Sequence, residues 1–287
     1  MAAYAWLLTR LPEAAARAQV RLLGEALWLL RGRVVGRNLG RAFPAAAPAW
    51  RRRIGRLSCR RTAEMALFAL ASPAMSEAEL RDRIAADDSL TDPARGLPPP
   101  GPGVVLFVPH LTMLETVTTA TWLRPELAAR SWHVLYRPLD QPAADRWVRE
   151  GRERFGMRLI SRRDGLMRLM RAAREGQVAV VLFDQTTQTG APGSFFGRPC
   201  AVTLLPGLIA RRFGCAARIC WTERTGFWRS RVRTEALHAT DAEGLTVEAH
   251  AWLEGRLRSG DEACADWLWA HDRWKHAAAA PVSGPAA

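Results

Sequence analysis

The chain has 287 residues, 48% hydrophobic and 24% charged, which is enough apolar side chain for a substantial core and too much for a disordered chain. Its 41 Lys+Arg against 28 Asp+Glu give a formal net charge of +13, which predicts attraction to an anionic membrane surface, nucleic acid or acidic protein. Five cysteines, an odd number with no CxxC pair, disfavour a disulfide scaffold and the usual zinc ribbons.

Residues 1 to about 90 are predicted to be helical throughout, because apolar residues recur at steps of three and four, as from Val20 to Val34. Charged residues interrupt every apolar run, which disfavours both a membrane-spanning helix and a signal peptide. The pattern is typical of a helix packed on a core or of one lying on a bilayer. In the second case the interfacial side chains would be Trp6, Trp28, Arg17, Arg21 and Arg31.

The pattern changes after a linker rich in proline and glycine at 97–103. Val104–Val108 is a continuous, β-branched-rich run, as a strand buried on both faces requires. Beyond it, short apolar runs alternate with helical stretches, which predicts an α/β fold with a mainly parallel central sheet flanked by helices. The other strands are predicted at 133–136, 157–160, 177–183 and 216–222, and the helices at about 112–122, 141–155, 164–174 and 204–213.

These elements suggest three parts. A helical N-terminal region at 1–96 would dock on a membrane and pack on the rest. An α/β core would span 97–276, and a disordered tail would follow at 277–287. In open parallel sheets chemistry collects at the carboxyl ends of the strands, so the residues that follow each predicted strand are the candidates for a site.

The first buried strand ends in Pro109-His110, and Glu115 stands five residues later in the first turn of the next predicted helix. A histidine held by a carboxylate can act as general base toward a hydroxyl, and a strand end and the following helix start can bring the two together. The spacing from Thr112 to Glu115 also fits a capping box, and His110 would then be an ordinary histidine at a strand end.

Two further polar residues follow predicted strands. Arg137 could hold a phosphate or a developing oxyanion, or form an ordinary ion pair with Asp140. Asp184, within Phe183-Asp184-Gln185, could position Arg137 or the acceptor, or cap a turn.

Phe195, Phe196 and Gly197 follow a polar, glycine-containing loop at 186–193. Two exposed, adjacent phenylalanines would suit a wall for an acyl chain. The same residues could equally form a plug that packs on the core.

Six segments, in this order, resemble the late acyltransferases of lipid A biosynthesis. They are Arg37-Asn-Leu-Gly-Arg-Ala-Phe-Pro44, His110-Leu-Thr-Met-Leu-Glu115, Tyr136-Arg-Pro138, Phe183-Asp-Gln185, Phe195-Phe-Gly197 and Trp267-Leu-Trp-Ala-His-Asp-Arg-Trp-Lys275. The resemblance extends from about residue 10 to 275. It implies a glycerol-3-phosphate-acyltransferase-like fold and transfer of a fatty acyl group from an acyl carrier protein thioester to a hydroxyl of a membrane glycolipid.

Carried onto this chain, the resemblance makes His110 the base and Glu115 its partner, with Arg137 and Asp184 as supporting groups. The substrate-binding residues would be Gln185, Phe195, Phe196 and Gly197. No metal, no bound cofactor and no nucleic-acid partner are expected. The protein would lie at the cytoplasmic face of the bacterial inner membrane, bound peripherally or monotopically to its anionic surface.

Two alternatives stay open. Many family members carry an N-terminal spanning helix, and this chain shows no sufficiently apolar segment for one. The acceptor could therefore be a different one: a phosphatidylinositol mannoside, an amino-acid lipid or a pigment-like headgroup. A different class is a basic protein that binds membrane or nucleic acid, which the arginines between 51 and 61 would favour. No zinc finger or aromatic-rich RNA motif accompanies them.

Overall fold

The computed structural model describes residues 2–161, 165–188 and 190–275. Within them the chain forms a seven-stranded sheet flanked by helices, and a separate two-stranded hairpin. The helices are α1 (Ala2–Arg10), α2 (Glu13–Ala42), α3 (Pro48–Ala71), α4 (Glu77–Arg83), α5 (Ala120–Leu123), α6 (Pro142–Glu153), α7 (Leu166–Arg174), α8 (Leu205–Phe213), α9 (Ala242–Arg258) and α10 (Asp261–Ala265). The strands are β1 (Ile84–Ala86), β2 (Val104–Val108), β3 (Trp132–Tyr136), β4 (Met157–Ser161), β5 (Val178–Leu182), β6 (Ala191–Phe195), β7 (Arg198–Val202), β8 (Ala216–Gly226) and β9 (Arg229–Ala236).

The strand order of the sheet is β1-β9-β8-β2-β5-β3-β4, and every neighbouring pair but β8–β9 is parallel. The predicted α/β class is confirmed. Strands β2, β5 and β3 lie side by side, so their carboxyl ends meet at one edge. The segments that follow these three strands and carry the candidate residues therefore begin at the same edge of the sheet.

Strand β2 is the centre of the core, and all five of its residues are buried, as its uninterrupted apolar sequence predicts. Alternate side chains enter different clusters: Phe107 packs on one face and Leu106 on the other. Each such buried side chain contributes roughly 1.5–3 kcal/mol. The helical hairpin of α2 and α3 supplies residues to both clusters, for example Leu39 to one and Phe68 to the other.

The prediction that the N-terminal region is helical throughout is wrong, because it includes strand β1. Ser76 and Glu79 form a capping box at the N-terminus of α4. After this helix the chain becomes extended, and Ile84 pairs with Ser230 at the edge of the sheet. The division at 96/97 remains a prediction, but the N-terminal region does contribute a strand to the sheet. The tail at 277–287 lies outside the described residues.

The helix predicted at 112–122 is a 3-10 helix over Leu114–Thr119 followed by the single turn of α5. Threonine hydroxyls bond to carbonyls three residues back, from Thr116 to Met113, Thr118 to Glu115 and Thr119 to Thr116. Such bonds compete with the α-helical ladder and favour the tighter turn.

The other predicted strands and helices coincide with β3, β4, β5, β8, α6, α7 and α8 to within a few residues. The hairpin β6–β7, strand β9 and helices α9 and α10 have no counterpart among the predictions. No helix in the described part of the chain is both long and apolar enough to cross a membrane.

The hairpin of α2 and α3 depends on a close approach at Gly24. A Cβ atom there would lie 2.7 Å from the Cα of Arg60, whereas one at Gly36 on the same helix would meet nothing within 4 Å. We expect Gly24→Ala to lower the free energy of unfolding by about 1–3 kcal/mol through overpacking. Gly36→Ala should raise it by about 0.5–1 kcal/mol through helix propensity. Urea unfolding measures both, and equal effects would contradict the packing described.

Candidate active site

His110, directly after β2, is paired with Asp184, directly after β5. The ring Nδ1 lies 2.6 Å from Asp184 Oδ1, and the main-chain N–H of His110 donates to Oδ2 at 2.8 Å. Because β2 and β5 are adjacent and parallel, their ends bring these two residues together although they are 74 positions apart. The sequence predicted both residues for the site but not their pairing.

The Asp184 side chain is only 1% exposed. Burial alone would raise the pKa of Asp184, but the charge and hydrogen bonds of His110 and the hydrogen bond from Trp267 hold that pKa at about 2. The group is therefore a carboxylate at neutral pH and can only accept hydrogen bonds. It follows that His110 Nδ1 carries the proton and that Nε2, on a side chain 16% exposed, is the nitrogen available as a base.

Asp184 receives its other side-chain donor from Trp267, whose indole N–H lies 2.6 Å from Oδ2. Trp267 belongs to a segment, residues 266–272, that we call the C-terminal strap. The strap crosses the site: its Leu268 N–H donates to the His110 carbonyl, and its Asp266 carbonyl accepts from the Thr112 N–H. It thus fixes the main chain on both sides of Leu111.

The strap is held from its other side by the hairpin of α2 and α3. The Asn38 amide donates to the carbonyls of Trp269 and His271, and the Ser58 hydroxyl donates to that of Trp267. The His271 ring accepts from the Thr186 N–H through Nε2. Burial lowers the pKa of His271, which is consistent with a neutral ring that has its proton on Nδ1.

Glu115 forms a bidentate ion pair with Arg152 of α6, at 2.7 and 2.5 Å. The described contacts of its carboxylate are with Arg152, and those of the His110 ring are with Asp184. A direct His110–Glu115 contact, the interpretation favoured from the sequence, is not among the contacts of the described residues. The capping box is not formed either, because the Thr112 hydroxyl donates to the Asp266 carbonyl and Met113, with φ of 67°, begins the 3-10 helix.

Arg137 lies at the same edge of the sheet as His110, after β3. Among the residues described, the carboxylate paired with it is that of Asp140, at 3.9 Å, and both side chains are mostly exposed. This is the ordinary ion pair that the sequence allowed, and its exposure leaves the guanidinium accessible to an anion. A role for Arg137 in binding or catalysis remains a prediction.

The expectation that Phe195 and Phe196 are exposed is wrong: both are buried, against Trp267 and Trp269 of the strap respectively. The hairpin β6–β7 turns at Phe196-Gly197, where both residues have positive φ, the conformation of a type I′ turn. That turn folds both rings onto the core, as in the plug interpretation. Gly197 is exposed at the turn and Gln185 is half-buried beside Asp184; their substrate-binding roles remain predictions.

Most of the arginines between 51 and 61 are paired with carboxylates. Arg53 pairs with Asp261, Arg60 with Glu25, and the nearly buried Arg61 with Glu64. A cavity of about 250 Å³ lies elsewhere, between the linker at 97–100 and Arg130, near the amino ends of the central strands. Among the residues described, no group of three or more His, Cys, Asp or Glu side chains is arranged to hold a metal ion.

Two residues of this site were not predicted. Arg152 has no distinguishing signal, being one of many arginines in the chain. Trp267 could have been found, since it opens the last of the segments on which the resemblance depends.

The family model "Bacterial lipid A biosynthesis acyltransferase" matches residues 1–276 of the chain. A comparison with curated proteins found no match.

The ion pair of Glu115 and Arg152 should be strongly coupled, because the two side chains are only 12% and 27% exposed. In a double-mutant cycle with Glu115→Gln and Arg152→Met, we expect an interaction energy of about 1–3 kcal/mol in the free energy of unfolding. The exposed pair Arg149–Glu153 on the same helix serves as the control and should give about 0.3–0.5 kcal/mol. Equal values for the two pairs would refute the structural role of Glu115.

Proposed function

The chain belongs to the bacterial lipid A biosynthesis acyltransferases, and we propose that it moves a fatty acyl group from an acyl carrier protein thioester to a hydroxyl of a membrane glycolipid, with His110 as general base. The observation that carries this proposal is the 2.6 Å contact between His110 and the buried carboxylate of Asp184. It orients a ring whose Nε2 is free to take a proton.

In the proposed reaction the acceptor hydroxyl gives its proton to His110 Nε2 while its oxygen attacks the thioester carbonyl carbon. The tetrahedral oxyanion then collapses, the C–S bond breaks, and the departing sulfur takes the proton from the imidazolium. Asp184 keeps the ring in the required tautomer and stabilises the imidazolium that forms. Direct attack needs no covalent enzyme intermediate, so no serine or cysteine nucleophile is invoked.

Glu115 has an indirect part in this proposal. Through Arg152 it ties the 3-10 helix after His110 to α6 and so holds the chain next to the base. Arg137, exposed at the same edge, is a contact for an anionic group of the donor. The positive net charge of the chain supports an acidic donor protein, because it raises the rate of encounter with such a partner.

We also propose that the protein binds peripherally to the cytoplasmic face of the inner membrane, through an apolar surface on α1 and α2. Leu22, Leu29 and Leu30 are 72–84% exposed and lie on one side of α2, because Leu29 and Leu30 come about two helical turns after Leu22. Tyr4, which donates to Gln19 of α2, joins this side to α1, where Trp6 and Leu7 are also exposed.

An anionic bilayer is the occupant that the charges favour. Arg33 follows Leu29 on the same side of α2 and has no carboxylate partner among the residues described, and Arg21 flanks Leu22. The other side chains expected at a bilayer are engaged within the protein. Trp28 packs against Gly55, Arg17 lies over the Phe227 ring, and Arg31 donates to the Ala270 carbonyl.

The base assignment is tested by acyl transfer from labelled acyl carrier protein to a lipid A precursor. A phosphatidylinositol mannoside, an amino-acid lipid and a pigment-like headgroup serve as alternative acceptors, and acyl-coenzyme A serves as the alternative donor. His110→Gln should lower kcat/KM about a thousandfold and Asp184→Asn about a hundredfold or more, because each removes one member of the hydrogen-bonded His110–Asp184 pair. The double variant should lose little beyond His110→Gln alone.

Asp82→Asn, which changes an exposed carboxylate paired with Arg229, is the matched control and should leave turnover unchanged. Full turnover in His110→Gln would overturn the assignment. Transfer only to one of the alternative acceptors would leave the base assignment intact and correct the acceptor.

The docking surface is tested by binding to vesicles of phosphatidylethanolamine and phosphatidylglycerol. Leu29→Gln/Leu30→Gln should lower the partition coefficient about tenfold or more, since two apolar side chains leave the interface. Leu208→Gln/Val247→Gln replaces two residues that are also exposed, on α8 and α9, and should have no effect. Equal losses in both pairs, or none, would contradict the proposed surface.

A further inference from the structure

The Trp267 side chain has a polar contact that packing alone does not explain. Its indole N–H donates to Asp184 Oδ2 at 2.6 Å, and the two residues are 2% and 1% exposed. Oδ2 also accepts the His110 main-chain N–H at 2.8 Å, which leaves Oδ1 to the His110 ring. Each oxygen of the buried carboxylate therefore has a defined partner.

We propose that Trp267 is a positioning residue of the acyl transfer, acting through Asp184. The inference rests on the proposed function, in which Asp184 orients the base. The indole N–H fixes the rotation of the carboxylate, so that Oδ1 faces the ring, and it disperses the negative charge that the ring experiences.

The indole is suited to this role because it is itself held rigidly. Its ring lies edge-on to that of Trp269 at 4.6 Å and packs on Phe195 at 5.3 Å. Its main chain is fixed by the Ser58 hydroxyl and by a bridge to Leu111. Reorienting the donor would require the strap to move as a unit with the α2–α3 hairpin.

Trp269 provides a matched control two residues away. It too is fully buried in the strap, and its indole N–H donates to the Cys264 carbonyl at 2.7 Å. Trp267→Phe and Trp269→Phe each remove one buried indole hydrogen bond and the same volume. Only the first removes a donor from Asp184, so a purely structural role predicts similar effects of the two variants.

The experiment compares the pH profiles of kcat/KM for the two variants, with urea unfolding to match their stabilities. With one donor fewer, the Asp184 carboxylate attracts the His110 ring proton more strongly. The His110 ring therefore stays protonated, and inactive as a base, up to a higher pH. For Trp267→Phe we expect the acid limb to move up by about 0.5 pH or more and the plateau to fall about tenfold. Trp269→Phe should keep the wild-type limb. A limb that stays in place in Trp267→Phe, or moves to lower pH, overturns the inference.

Nitrogen NMR of the His110 ring in the full-length protein, assigned with His110→Gln, follows the same titration without substrate. The NMR titration and the turnover assay together separate the two proposals. Full turnover in His110→Gln would overturn the proposed function, whereas an unchanged ring titration in Trp267→Phe would overturn this inference alone. Should Trp267→Phe fail to fold, 4-fluorotryptophan incorporated throughout the protein gives a stronger N–H donor in nearly the same volume. The ring titration should then move to lower pH, and no movement would overturn the inference.

Discussion

The carboxylate of Asp184 is the constraint on which the rest of the site depends. A charge buried to this degree is stable only if its oxygens are met by donors, and here the donors come from two distant parts of the chain: the main chain and ring of His110 after β2, and the indole of Trp267 in the C-terminal strap. Two of these three bonds serve the fold as much as the chemistry. Only the ring of His110 is both bound to the carboxylate and partly open to solvent.

This requirement explains why the α2–α3 hairpin and the C-terminal strap meet at the carboxyl edge of the sheet. Trp267 must reach Asp184, so the strap must cross the carboxyl edge of β2 and β5, and the strap in turn has no regular secondary structure to satisfy its carbonyls. Asn38 and Ser58 of the helical hairpin satisfy three of them. The Asn38 segment and the Trp267 segment, at opposite ends of the resemblance, are thus parts of one hydrogen-bonded arrangement.

Much of this could be read from the sequence, because the information is local. The β-branched run at 104–108 predicted a central strand, and the positions of His110 and Asp184 after two such runs predicted that both lie at one edge. The pairing could not be predicted, since it depends on β5 rather than another strand lying next to β2. The spacing from His110 to Glu115 allowed either a contact or a capping box, and the resemblance made Glu115 the partner of His110. The threonines that tighten the following turn, such as Thr116, do not indicate where the Glu115 carboxylate points.

Other failures have equally specific causes. The turn of β6–β7 is built on Phe196-Gly197 rather than on Asn-Gly or Asp-Gly, so the usual hairpin signal is absent. Strand β1 is three residues long and is stabilised by its pairing with β9. This is a long-range contact, which the local sequence pattern does not predict. The same is true of the pair Glu115–Arg152, in which one of many arginines becomes distinct only through the fold.

The proposed orientation on a bilayer follows from how α2 changes along its length. Its exposed side is apolar from Leu22 to Leu30 and then carries Arg33, while Arg37 pairs with Asp272 of the strap and Asn38 donates to two strap carbonyls. The apolar half would lie deepest, and Arg33 would meet the lipid phosphates. From Leu30 to Asn38 the distance along the helix axis is about 12 Å, so the strap and the base beside it would lie close to the edge of the docked surface. An acceptor hydroxyl on a sugar headgroup would meet His110 there without leaving the membrane surface.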